Sequence, residues 1–330
     1  MSTPRSVPYV LGFLAFAGIC AAWVIGGLKS AAVAAPEQRL FFVSDPTASE
    51  LAIFSLPGLV LKGTITGPNQ PHGLCSDYSG NIWVSNTGTQ QMLLYTRTGS
   101  LIVTLNDPNG FPFACDVDRG GRHPHHHSHD LAAGNIHNMS GPGETEIWVN
   151  STGSPLPSYD YAPMPKVLGE AFDPGDLYID GQTHAGTFVL AELPAGSSAI
   201  HGITVTGGTI HLPGMLRWDR EHGYLAVGDR RCDTPRTTCV YHIAVSGSSG
   251  MITGKTKFKA YNGHVICDMA QGVIYTSGGV AYFAGADDES ACGYAASSVD
   301  RWAYPAGGLP INSNHSIAFA HPFGTAITAR

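Results

Sequence analysis

The amino-acid sequence predicts an all-β fold, and three observations carry that expectation. Charged residues supply only 13% of the 330 positions, while Gly occupies 41 of them and Pro 22. Soluble domains average about 25% charged residues and about 7% Gly, so a coiled coil, a helical bundle or a charged disordered tail is excluded. The glycines also lack the three-residue period of collagen. Next, stretches rich in Val, Ile, Thr, Tyr and Trp alternate with tight-turn residues, as short strands joined by turns do. Finally, from residue 40 onward these stretches recur as a unit. Each unit has a short apolar run ending in Asp or a similar turn residue, then Gly or Asn, then a second alternating run. A formal charge of −7 with no basic cluster gives nucleic acid no electrostatic footprint.

Residues 1–36 stand apart from the repeat. MSTPRSVP (1–8) carries one Arg and no acid, and residues 9–28 carry no charge at all. Lys29 and the small residues SAAVAAP follow, with Ala32-Val33-Ala34 before Ala35 fitting a small-x-small cleavage pattern. That is the order of a secretory signal. The apolar run is also long enough to cross a bilayer, so an uncleaved N-terminal anchor helix is the competing expectation. Cys20 follows Ile rather than a small residue, which speaks against a lipid-modified terminus. Either way the rest of the chain is expected to be exported, to the periplasm, the cell surface or the medium. Membrane contact is then confined to residues 9–28, if they are uncleaved.

Residues 37–330 form the second expected domain. FFVSD, LAIFSL and VLKGTI (41–65) supply three strands. The clearest unit, residues 71–105, supplies four: His72–Ser76, Asn81–Ser85, Gln91–Tyr95 and Leu101–Leu105, joined by DYSG, NTGT and TRTGS. Looser copies fill 111–150, 169–205, 214–258 and 265–308, and PFGTAIT (322–328) supplies one last strand without a partner. SPLPSYDYAPMPK (154–166), with Tyr159 and Tyr161, reads as a connection between copies. Three strands at the front and one at the back complete a four-stranded sheet, and such closure removes exposed strand edges. The expectation is a six-bladed β-propeller with four-stranded blades, its C-terminal strand pairing with the first blade. A two-sheet sandwich or a β-solenoid is the competing arrangement.

Six cysteines follow Cys20: Cys75, Cys115, Cys232, Cys239, Cys267 and Cys292. An even count suits an oxidising compartment, although fifteen connectivities are open to six cysteines. Cys232 and Cys239 would staple the loop CDTPRTTC, Cys75 and Cys115 lie in similar strands of successive copies, and Cys267 and Cys292 remain. Buried free thiols are the alternative for the last two pairs.

PHGLCSDYSGNIWVSNTGTQQMLLYTRTGS (71–100) resembles an NHL-type propeller repeat through Pro71, Gly73, Leu74, Asp77, Gly80, Asn81, Val84, Asn86 and Thr87. LAELPAGSS (190–198), YLAVGD (224–229) and RWAYPAGGLP (301–310) look like exported bacterial propellers of unassigned activity. The wider superfamily holds gluconolactonase-like metal-dependent hydrolases as well as binding modules, so the resemblance implies a fold rather than an activity. In the hydrolase branch, Glu, Asn and Asp hold a divalent ion where the inner strands begin. Here strict register offers His72, Phe113, Leu168, Gly214, Gly263 and Phe323, a mostly apolar set that cannot hold a hard cation. A looser register brings His72, Glu170 and His264 near the rim of alternate copies, and two His with one carboxylate is a zinc arrangement.

The loudest local signal is RHPHHHSHD (122–130), with His123, His125, His126, His127 and His129. Neutral imidazoles at this density chelate Zn, Ni or Cu without a preformed pocket. No G-x-S-x-G elbow, Walker loop, H-E-x-x-H or calcium loop is present. The expected function is that of an exported, non-enzymatic binding or scaffold module, presenting one face to a protein, glycan or small-molecule ligand. The alternative is a metal-dependent lactonase-like hydrolase working at the channel mouth.

Overall fold

The computed structural model describes residues 38–119, 129–136, 143–173, 175–233, 237–293 and 297–328. The expected N-terminal signal or anchor and His123, His125, His126 and His127 lie outside the described residues. The rest is built from strands in successive antiparallel groups. The first group holds β1 (Leu40–Asp45), β2 (Glu50–Ser55) and β3 (Val60–Thr66). The second holds β4 (Pro71–Ser76), β5 (Ile82–Asn86), β6 (Gln91–Tyr95) and β7 (Leu101–Asn106). The third holds β8 (Phe111–Val117), β9 (Leu131–Ile136), β10 (Gly143–Trp148) and β11 (Tyr159–Tyr161). In the fourth are β12 (Lys166–Phe172), β13 (Leu177–Gln182), β14 (Phe188–Leu193) and β15 (His201–Thr206). In the fifth are β16 (Pro213–Asp219), β17 (Tyr224–Asp229), β18 (Cys239–Ser246) and β19 (Ser249–Lys257). The last group holds β20 (Gly272–Ser277), β21 (Val280–Asp287), β22 (Ser298–Ala303) and β23 (Asn312–Asn314).

The final strand, β24 (Thr325–Ile327), returns to the first group and pairs antiparallel with β1, Phe41 opposite Ile327 and Val43 opposite Thr325. The innermost strands then pack in sequence, β4 on β8, β8 on β12, β12 on β16, β16 on β20, β20 on β24 and β24 on β4. This is a closed circuit. Gly324 is required for it, because a Cβ there would lie 2.0 Å from the His72 carbonyl oxygen. At the periphery β15 pairs in parallel with β19 over Thr204–Thr206, which covers two strand edges that would otherwise be open to pairing.

The apolar core is divided in the same way, one cluster between each pair of neighbouring groups. Phe42, Leu51, Leu74 and Val84 lie between the first and second groups, and Trp83, Leu131 and Trp148 between the second and third. Phe258, Phe283 and Trp302 fill the space between the fifth and last groups, and Phe41, Phe54 and Val299 the space between the last and the first. Every sheet is therefore apolar on both faces, as the mixed character of Trp83 and Val84 in the sequence implies. Three disulfides join Cys75 to Cys115, Cys232 to Cys239 and Cys267 to Cys292. The first links the innermost strands β4 and β8.

A recurrent polar latch positions the innermost strand in four of the groups. The side chain near the end of the second strand accepts amide hydrogens from the loop leading into the first. Asn86 accepts from Asn69, Asp229 from His211 and Leu212, and Asp287 from Cys267 and Asp268. In the closing group Asp45 accepts from Ala320 and His321.

Two elements differ from the sequence expectation. The third group gains its outer strand from Tyr159–Tyr161, inside the segment expected to be a connection, where Tyr161 pairs with Gly143. A three-residue outer strand with Pro on either side gives too short a period to recognise. In the last group the innermost strand begins at Gly272 rather than near Val265, because residues 267–268 are drawn onto the Asp287 latch instead of a ladder.

Candidate functional site

The central space is framed by the innermost strands, and its two ends have opposite chemistry. Where these strands begin, His72, Phe113 and Phe323 form an aromatic cluster with ring centroids 4.6, 5.0 and 4.9 Å apart. His72 Nδ1 lies 3.0 Å from the Gln70 carbonyl and 2.9 Å from the Thr87 hydroxyl. Thr87 donates its own proton to the Pro112 carbonyl, so Nδ1 carries the hydrogen and donates it. Burial lowers the His72 pKa to about 4, and the ring is neutral at ordinary pH. Beside the cluster, Arg230 forms a two-point ion pair with Asp268 and lies over the Phe323 ring, 6.0 Å from its centroid. His321 pairs with Asp288 at 2.7 Å, and that hydrogen bond raises its pKa.

Toward the other end, where the innermost strands finish, lies a cavity of about 290 Å³. Four arginines line it: Arg39, Arg119, Arg217 and Arg220. Arg217 reaches across from β16 to the carbonyls of Leu74 in β4 (3.3 Å) and Thr325 in β24 (3.5 Å), and also donates to the Leu216 carbonyl. Its pKa is pulled down by burial, against the opposing charge of Asp116. Arg119 donates to the Ser76 hydroxyl at 2.8 Å. Among the described residues, Arg119, Arg217 and Arg220 have no carboxylate within ion-pair distance.

The acids of the cavity are engaged elsewhere. Asp219 accepts the amides of Glu221 and His222 and bonds the His222 ring at 2.9 Å, Asp116 accepts the Phe172 amide, and Glu221 accepts from Thr276. The result is a space edged by four guanidinium groups, of which Arg39, Arg119 and Arg217 donate to carbonyls or a hydroxyl rather than to a carboxylate. Such groups suit a carboxylate or phosphate, which Arg binds through two parallel N–H donors.

The three residues expected at the channel mouth sit in three separate settings. His72 belongs to the aromatic cluster. Glu170 is fully buried against the third group, its carboxyl carbon 3.2 Å from where a Cβ of Gly134 would be. Burial, with the charge of Asp116 adding to it, raises the Glu170 pKa well above its ordinary value. His264 is exposed on a turn closed by its own carbonyl and the Ala260 amide, ahead of β20. Among the described residues no group of three or more His, Cys, Asp and Glu is arranged to hold a metal ion. Of the histidine tract, His129 is described; its ring lies 5.4 Å from that of Tyr78.

Sequence reasoning passed over the arginines. The available signal was their placement at the finishing end of an innermost strand, as in VDRG (117–120) and RWDRE (217–221). Among the described residues no helix is long and apolar enough to cross a membrane.

No family model and no curated protein matches the chain. Solved structures do. A chain in the crystal structure of a nidogen/laminin complex is similar with a TM-score of 0.61 at 12% identity, over 88% of this chain and 98% of that one. A protein of unknown function from Bacteroides caccae is similar with a TM-score of 0.59 at 12% identity, over 89% of this chain and 100% of that one. Together with the closed circuit of sheets, these likenesses establish the β-propeller fold.

Proposed function

We propose that the chain is an exported six-bladed β-propeller acting as a non-enzymatic binding module, which takes an anionic ligand in the arginine-lined end of its channel. The six strand groups, the first completed by β24, support the blade count. Three disulfides support an oxidising compartment, in keeping with the apolar run at residues 9–28. The observation that carries the ligand class is the concentration of four arginines around one cavity in a chain of net charge −7, three of them without a carboxylate partner among the described residues. The ligand is a small molecule, or a group on a protein or glycan, that bears a carboxylate or phosphate. One of the similar structures comes from a nidogen/laminin complex, a protein–protein assembly, which supports the same fold serving recognition here. A hydrolase working through His72, Glu170 and His264 finds less support, because Glu170 is fully buried between sheets while His264 is exposed on a turn. In the same proposal the tract His123, His125, His126, His127 and His129 takes Zn, Ni or Cu as a separate, loop-borne property.

Isothermal titration of inorganic phosphate, succinate and glucuronate into the purified chain tests the ligand reading. One anion should bind per chain, about tenfold or more weakly after Arg217→Met and more weakly in high salt. Absence of binding by every anion, or equal binding by Arg217→Met, would remove the basis for the proposal. Deletion of 123–129 should abolish nickel uptake and leave anion binding unchanged.

A further inference from the structure

The third strand group contains a buried polar cluster that the channel does not use. Its centre is two carboxyls, Asp107 in the loop before β8 and Glu146 in β10, 3% and 0% exposed. One oxygen of each is engaged: Asp107 Oδ1 accepts the amides of Asn109 (3.2 Å) and Gly110 (3.0 Å), and Glu146 Oε1 accepts from Asn109 Nδ2 (2.6 Å). The other two, Asp107 Oδ2 and Glu146 Oε2, are buried without a hydrogen-bond partner. No cation among the described residues forms an ion pair with either carboxyl.

A third unpartnered side chain faces the same place. Asn135 opposes Pro112 in the register position where Asn86 opposes Pro71 and Asp229 opposes Pro213. In those groups the side chain latches the entering loop. In the third group Asp107 has taken the loop amides from within the loop, and Asn135 is left over. It is 0% exposed, and neither its Oδ1 nor its Nδ2 has a partner. Its amide points at the loop that Asp107 heads, since a Cβ on Gly110 would lie 2.5 Å from it. The pairing of Ala133 with Glu146, and strand alternation from Ala133 to Asn135, put it on the face of Glu146.

We propose that Asp107, Glu146 and Asn135 form a calcium site. Unpartnered buried polar atoms are rare in folded proteins, and two carboxyl oxygens beside an unpartnered Asn amide suit a cation, whose charge would offset the burial and the neighbouring Asp107 that push the Glu146 pKa up to about 8. Two carboxylates match a divalent charge, and an all-oxygen set without thiolate or imidazole selects a hard ion. Ca²⁺ accepts Asn carbonyls, backbone carbonyls and water in irregular geometry, whereas Mg²⁺ demands a near-ideal octahedron and sheds water reluctantly. With only two carboxylates, the affinity belongs to the class of extracellular modules, with Kd of about 0.1–1 mM. The site lies off the channel axis and stands independently of the anion reading.

Equilibrium dialysis of the full chain against radiolabelled calcium should find one ion per chain, with a thermal midpoint that rises with calcium. Glu146→Gln keeps the shape and the acceptor for Asn109, so it should fold as the parent does and bind calcium at least about tenfold more weakly. Asn135→Asp, which adds an anionic oxygen, should bind more tightly. Deletion of 123–129 should leave uptake unchanged. The proposal is overturned by no uptake at about 10 mM calcium, far above the affinity of this class. It is equally overturned by unaltered binding in Glu146→Gln, by weaker or unchanged binding in Asn135→Asp, or by loss of uptake with the histidine tract.

Discussion

Replacing Asp45 tests how the ring is held shut. The β1–β24 ladder covers only three residue pairs, so much of the closure rests on what lies beyond it. Asp45 is fully buried, and its Oδ2 accepts the amides of Ala320 (2.6 Å) and His321 (3.1 Å) from the C-terminal segment. Its Oδ1 accepts the amides of Thr47 (3.0 Å) and Ala48 (2.9 Å) from the N-terminal hairpin. Hydrogen bonds to a charged acceptor contribute about 1.5–3 kcal/mol each, but Thr47, Ala48 and Ala320 are exposed and would recover water. A discounted value of about 1 kcal/mol per bond puts Asp45→Ala at about 3–5 kcal/mol, and Asp45→Asn, which keeps one accepting oxygen, at about half that. In a chain of this size 1 kcal/mol moves Tm by roughly 2 °C, so the expected losses are about 6–10 °C and about 3–5 °C. Urea and thermal unfolding with the disulfides intact give the numbers. Hydrogen exchange should show residues 325–327 opening ahead of the other strands. A loss under about 1 kcal/mol for Asp45→Ala, smaller than a single such bond, would refute the reasoning.

Gly324→Ala should destabilise by at least about 2–3 kcal/mol, since its Cβ meets the His72 carbonyl rather than a movable side chain; the urea midpoint and soluble yield check it. Loss of Cys75–Cys115, which closes a loop of 40 residues, should cost about 4 kcal/mol, against about 2.4 kcal/mol for the seven-residue loop of Cys232–Cys239, read from unfolding of the paired Cys→Ser variants. Burial raises Asp180 and Asp287 to about 7 and Asp300 to about 6. The folded chain holds these protons where the unfolded chain has shed them, so stability should fall as pH rises from about 4 to about 7 and then level off. Urea midpoints at pH 5 and 8 measure the slope, which Asp180→Asn should flatten; stability that rises across the window would contradict it.

The fold was legible because its local chemistry agrees with its global plan. The turns DYSG and NTGT, the apolar run around Trp83 and the leftover PFGTAIT all point to closed four-stranded sheets, and β24 pairs with β1 as that reading requires. The disulfides were legible for the same reason: Cys75 and Cys115 occupy neighbouring innermost strands. The site was not. His72, Glu170 and His264 were aligned by distance from an assumed rim, and in the last group that rim shifts because the Asp287 latch delays the start of β20. A one-residue change of register turns a strand side chain to the opposite face, so spacing alone could not separate a channel residue from one buried between sheets, as Glu170 is.

What departs from the repeat is a better guide to function than what fits it. Asn86, Asp229 and Asp287 are polar and buried, yet each is consumed by the structural task of fastening a loop. Asn135 holds the same position with that task removed, on the strand face that carries Glu146 and beside the loop that Asp107 heads. The innermost strands show a second departure. Counting from the prolines that open β4, β8 and β16, the same place is taken by Cys75, Asp116 and Arg217. Cys75 ties two sheets together and Asp116 fixes the Phe172 amide, whereas Arg217 spans the axis to carbonyls on β4 and β24. A partly buried guanidinium hydrogen-bonded to carbonyls contributes little to stability that an apolar residue of similar volume could not supply. Under the proposed anion-binding role, Arg217→Met should therefore cost anion affinity far more than it costs folding.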